Sequence, residues 1–282
     1  MAQSQPQLPG FETTYRVEWL YASQPNLDAA AIQEQLQSTL PESEVKELGF
    51  GYLVVVHRAH TAKFATKHGP AITAIFTVKD PTIAEAEVEA ALQQTRTWSR
   101  DDASARVKRA QTRIVQMDLL SRNQPHQTRL LLIHGVARAL ALVTQPDVAY
   151  WHPAGWMVAP EQLTNDPLDA AMNVRLFKVD ERPGELLMDT LGLAALGVPD
   201  IQCHFLGLDP GRVAGFLRDT GRYVFEKGDV IKDGHTVQGL EPAHKWACRH
   251  EMAFASPARA VIDINPGPPH SARSLQSASG LN

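Results

Sequence analysis

The chain has 282 residues, 44% hydrophobic and 21% charged, enough for a sizeable core in one large or two small domains. Lys plus Arg total 27 against 31 Asp plus Glu, so at a net charge of −4 there is no cationic excess to neutralise nucleic-acid phosphates. Two cysteines, Cys203 and Cys248, cannot build a disulfide scaffold. With no signal-like N-terminus and no apolar run of membrane length, the expectation is a cytoplasmic protein that meets neither membrane nor nucleic acid.

Residues 1–13 are polar and proline-containing and read as a disordered N-terminus. Thr14–Tyr21 alternates as a strand, and Asn26 or Asp28 then caps a helix that carries Leu27, Ile32 and Leu36 and ends at Pro41. Gly51–Arg58 and Ala71–Lys79 read as strands. A helix opens at Pro81–Thr82, a second at Asp101–Asp102 runs on through Val107, Ile114, Val115 and Leu119, and a third covers Gln127–Val143. Past Asp147 the pattern turns strand-rich again: Val148–Trp151, Gly155–Val158, Asn173–Val179, Glu185–Asp189, Ile201–Phe205, Trp246–Phe254 and Ala260–Ile264. One helix, opened by Asp209–Pro210, runs to about Glu226. This order predicts an α+β fold with mixed or antiparallel sheets and a central helical layer. The expected division is an N-terminal subdomain over 14–146, a C-terminal domain over 147–265 and a disordered tail over 266–282.

The motifs that would carry chemistry are incomplete. Gly49-Phe-Gly51 lacks a third glycine and leads into a strand, and no G-x-x-x-x-G-K-[ST] occurs, so no nucleotide cofactor is expected. There is no G-x-S-x-G elbow, and Ser43-x-x-Lys46 stands without the motifs that accompany such a pair in enzymes. Cys203, His204, Cys248 and His250 have the donor chemistry zinc favours, on two strands that could pair. Cys203 and His204 nevertheless point to opposite faces, and a buried thiol is as readily a core residue. Asp229, Asp233 and His235 would serve a hydrolase as base and orienting group, while an Asp–Gly turn accounts for Asp233 without chemistry. Two further groups are candidates for contact with a partner. Tyr150, Trp151 and Trp156 surround a His–Pro turn and form either a recognition surface or a buried corner. Arg106, Arg109 and Arg113 belong to a locally basic stretch running from Arg96 to Arg129, which reads either as a solvated helix face or as a dock for an acidic partner.

Three segments carry a resemblance: the Tyr150–Trp151 strand, the stretch DTLGLAALGVPDIQ with Asp189, Gly192, Leu193, Gly197, Pro199 and Asp200, and the turn DGHTVQG with Asp233, Gly234 and Thr236. On these the chain resembles a family of bacterial proteins that carry a C-terminal domain of unknown function. The resemblance spans about residues 75–265 and is densest from Val148 to Leu240. It implies no reaction. Because members occur near type VI secretion and toxin genes, it implies an immunity or accessory protein with a toxin, effector or secretion component as partner. Independently of that likeness, Gly192 and Gly197 flank small apolar residues and read as a close backbone crossing in the core. The expectation is therefore a non-enzymatic protein that binds another macromolecule, with a hydrolase built on Asp229, Asp233 and His235 as the alternative.

Overall fold

Tyr15, Val17, Trp19 and Tyr21 are buried along one face of the first strand, as the alternation predicts, but Glu18 and Leu20 are buried on the other face too. A strand covered on both sides belongs in the middle of a sheet, and this one does. The structure, a computed structural model, describes residues 14–64, 67–78, 83, 85–93, 100–121, 123–164, 166–179 and 182–272. It divides into two units, Glu12–Asn173 and a C-terminal one from Val174 onward.

The N-terminal unit comprises β1 (Tyr15–Tyr21), α1 (Ala29–Gln37), β2 (Ser43–Gly49), β3 (Tyr52–Phe64), β4 (Lys67–Val78), α2 (Glu85–Gln93), α3 (Arg100–Arg109), β5 (Thr112–Asp118), α4 (His126–Thr144), β6 (Val148–Trp151), β7 (Trp156–Val158) and α5 (Pro167–Ala171). Its sheet has the order β2-β3-β4-β5-β1-β6-β7, with every neighbouring pair antiparallel. Asp28 caps α1 by accepting from the N–H groups of Ala30 and Ala31. One sheet face is the core: Leu53, Val55, Ile75 and Ile114 are buried there, and Gln116 reaches the Ile133 carbonyl of α4 at 2.8 Å. On the opposite face α2 and α3 pack over the β1–β6–β7 end through Leu92 and Ala103 against Leu20, Tyr150 and Met157.

The C-terminal unit follows with β8 (Asn173–Lys178), β9 (Glu185–Leu191), α6 (Leu193–Leu196), β10 (Asp200–Leu206), α7 (Pro210–Lys227), β11 (Thr236–Gln238), β12 (Lys245–Met252) and β13 (Ala260–Asn265). Its sheet order is β11-β12-β13-β10-β9-β8, and β10 pairs with β13 in parallel. The fold is thus α+β with two mostly antiparallel sheets.

Several expectations change. Thr112–Asp118 is a strand and not the continuation of a helix from Asp101, because the chain turns at Ala110 and its Ile114 and Val115 are buried on both faces of the sheet. The division near residue 146 moves to Asn173–Val174, since β6 pairs with β1 and β7 with β6. The tail expected from residue 266 is ordered as far as Ala272. Leu206 N–H bonds the His270 carbonyl at 3.0 Å, and Ala272 is fully buried. The expected disorder of 1–13, the helix start at Pro81–Thr82, Arg96, and the tail beyond residue 272 lie outside the described residues. Among the described residues no helix is long and apolar enough to cross a membrane.

Candidate functional site

The DTLGLAALGVPD stretch is held by charges that water does not reach. Asp189, Asp200 and Arg259 are each 0% exposed. Arg259 donates from Nε to Asp200 Oδ2 at 3.0 Å and from Nη2 to Asp189 Oδ2 at 2.6 Å, and its Nη1 reaches the carbonyls of Ala255 and Pro257. Arg175 binds Asp189 through two parallel bonds of 2.8 and 2.6 Å. Asp200 also accepts from the Thr190 hydroxyl and from the N–H groups of Leu193 and Ala194. Burial pushes the Asp200 carboxyl up from the usual range, opposed by Arg259 and these donors. Gly192 (φ +129°) and Gly197 (φ +101°) bracket the short α6 turn in conformations that disfavour a side chain. With its donors and acceptors engaged inside the core, this motif is scaffold and offers nothing to a ligand.

A groove lies elsewhere on the same unit. Asp209 accepts from Arg212 N–H at 2.8 Å and starts α7. Val213, Leu217, Gly221 and Val224 bury one stripe of that helix. Phe216, Thr220 and Tyr223 turn another stripe toward β11. Together with Val230, His235 and the β11 residues they line a groove of about 510 Å³. Tyr223 is 47% and Val230 43% exposed. β11 is a sheet edge, with β12 on one side and no strand on the other among the described residues.

The DGHTVQG turn shapes the groove wall. Asp233 Oδ1 accepts from His250 N–H at 2.7 Å and lies 2.9 Å from the ring Nδ1, while Asp229 Oδ1 lies 2.9 Å from the same ring's Nε2. These bonds from His250 hold the Asp233 carboxyl below the usual carboxylate range. Gly234 at φ +80° makes the turn. A Cβ on Gly239 would stand 2.5 Å from the Trp246 indole, so the final glycine of the pattern lets the chain pass against that ring. Trp246 in turn meets Phe216 of α7 edge to face at 4.8 Å.

The residues picked from sequence are redistributed. Asp229 and Asp233 do converge, but on His250; His235 accepts from Lys232 N–H at 3.2 Å and lines the groove. Cys203 and Cys248 do not share paired strands, because β13 lies between β10 and β12. Both thiols are buried, and burial pushes that of Cys248 up to about 11 and that of Cys203 higher still. His204 faces the other side of the sheet, 3.2 Å from Glu185, so the four proposed zinc donors stay apart. Tyr150, Trp151 and Trp156 form a buried corner and not a recognition surface: their polar ends reach Glu87, Tyr15 and the Ala170 carbonyl. Arg113 is on β5 and binds buried Glu18 at 2.8 Å; Arg106 pairs with Asp102 and Arg109 with Asp147, so the expected basic face is largely neutralised. Sequence reasoning missed Tyr223 and Val230. The seven-residue spacing of Phe216 and Tyr223, a second stripe beside the buried one, was the available signal.

A family model described as a domain of unknown function (DUF4261) matches residues 189–265, from the buried Asp189 to the end of β13; it covers the groove and, of the charge network, Asp189, Asp200 and Arg259 but not Arg175. No curated protein and no solved structure matches the chain.

Proposed function

We propose that the chain is a non-enzymatic binding protein of the bacterial cytoplasm whose C-terminal groove takes an extended segment of a protein partner. The observation that carries this reading is the junction of an edge strand with a groove of about 510 Å³ walled by exposed Tyr223 and Val230. An added strand would satisfy the open edge of β11 by backbone pairing and lay alternate side chains against the α7 wall. The likeness carried by Asp189–Asp200 and Asp233–Thr236 favours, as that partner, a toxin, an effector or a secretion component, which would make the chain an immunity or accessory protein.

The hydrolase alternative requires Asp229 and Asp233 to act with His235. Both carboxylates instead flank His250, one at each ring nitrogen, an arrangement suited to tying the 228–235 loop to β12. The test is co-purification of the full chain from its own cells, with the partner identified by mass spectrometry. Tyr223→Ala and Val230→Glu should each abolish stoichiometric recovery, while Leu142→Ala on an exposed face of α4 should not. Retention of the partner by both groove variants would reject the assignment.

A further inference from the structure

The N-terminal sheet carries a second surface that is independent of the groove. On the face opposite α4, Tyr52 stands across from Phe76, Val54 from Ala74 and Val56 from Ile72. β5 extends all three rows, with the buried Val115 beside Phe76, Met117 beside Ala74, and Leu119 N–H bonded to the Ile72 carbonyl at 3.1 Å. Tyr52 is 46% and Leu119 48% exposed, and Val54, Val56, Ile72, Phe76 and Met117 are half-buried. The helices α2 and α3 pack on the β1–β6–β7 end of this same face, where Tyr150 and Met157 lie beneath them.

The size of the open part says what fits. Three strands by three rows spans about 14 by 20 Å once side chains are counted, an area of about 300 Å². A stable dimer buries about 800 Å² on each partner, so a second copy of the chain is undersupplied. A single α-helix is about 10–12 Å wide, and 20 Å of helix is about 13 residues. The open region is therefore one helix wide and about four turns long.

The charge around it fixes the helix's chemistry. The central row runs Lys46–Val54–Ala74–Met117–Arg16, with a cation at each end. The Lys46 side chain is 47% and that of Arg16 38% exposed. On the β2 flank Lys46 and Arg58 share one carboxylate, Glu44; on the β1 flank Arg16 and Arg113 share Glu18. Glu87, beyond that flank, is engaged by Tyr150 and His152. We propose that this face docks an acidic amphipathic helix of a protein partner, its apolar stripe on Val54, Ile72 and Met117 and carboxylates on both sides of the stripe meeting Lys46 and Arg16.

The test uses the full chain and a synthetic amphipathic peptide of about 14 residues, Leu on one face and Glu beside it, against its Lys-for-Glu counterpart, read by fluorescence anisotropy. The acidic peptide should bind at least about tenfold tighter than the basic one and weaken as salt is raised. Leu119→Glu and Lys46→Glu should each cost about tenfold, and Tyr223→Ala in the groove should cost nothing, which separates this surface from the other. Equal binding of the two peptides, binding of neither, or indifference to both variants would overturn the proposal. So would concentration-dependent self-association that Leu119→Glu abolishes, because the occupant would then be a second copy.

Discussion

The guanidinium of Arg259 lies 3.0 Å from the carboxylate of Asp200 with both side chains wholly out of water. A buried pair of this kind adds little over a well-packed apolar substitute, but removing one member leaves the other charged and unsolvated. Arg259→Met would leave Asp200 without its cation and Asp189 with Arg175 alone. It should destabilise the C-terminal unit by about 3–5 kcal/mol in urea unfolding. A loss under about 1 kcal/mol would show that Arg175 and the local N–H donors suffice without it.

A second prediction concerns pH. His57, buried between Ser43 Oγ at 2.8 Å and Thr73 Oγ1 at 3.0 Å, is pushed by burial down to about 4 from an ordinary 6.5, and His134 is likewise lowered to about 4. The unfolded chain therefore takes up these protons first. The stability they confer is complete above pH 6.5 and is lost as pH falls from 6.5 toward 4, with a slope of at most about 1.4 kcal/mol per pH unit for each histidine. Denaturant unfolding between pH 6 and 4.5 should show His57→Gln with a slope shallower than wild type by one proton. Parallel slopes would mean that His57 does not titrate on unfolding.

How much of this was legible in the sequence follows from where the determinants lie along the chain. α7 was read closely because its stop and start signals are local: Asp209 caps it, Pro210 sits at its first turn and Gly228 ends it. β2 carries no strand pattern because Ser43–Gly49 holds only two apolar residues, Val45 and the exposed Leu48, as suits an edge strand with little to bury. β5 reads as helix in the sequence because Ile114 and Val115 are both buried, which erases the period of two. In the site, Asp229 and Asp233 could be picked out by proximity. Their partner His250 could not, since it arrives on β12 through a register that only folding sets. The groove needed α7 to be placed beside β11, and no spacing encodes that.

The edge of β2 yields a third prediction. Gln33 of α1 donates to the Ser43 carbonyl at 2.9 Å and accepts from Val45 N–H at 2.7 Å, so one side-chain amide takes the place of a neighbouring strand. Gln33→Ala would free both backbone groups at a sheet edge. It should cost about 1–2 kcal/mol and raise self-association, measured by sedimentation velocity. A variant as stable and as monodisperse as wild type would show that water replaces the amide without loss.

Two glycines of the C-terminal unit should respond to alanine with opposite signs. Gly239→Ala places a methyl group 2.5 Å from the Trp246 indole, a ring 2% exposed and packed on Phe216 of the groove wall. The ring or the β11–β12 connection has to move, at a cost of about 1–3 kcal/mol, and the groove beside Phe216 changes shape with it. Gly215, inside α7, has nothing within 4 Å of the position a Cβ would take. There alanine should stabilise the helix by about 0.5–1 kcal/mol through the entropy glycine loses on folding. Thermal unfolding followed by tryptophan fluorescence reads both. A Gly239→Ala protein with wild-type stability and an unshifted emission maximum would mean that the close passage against Trp246 is not needed to hold the groove.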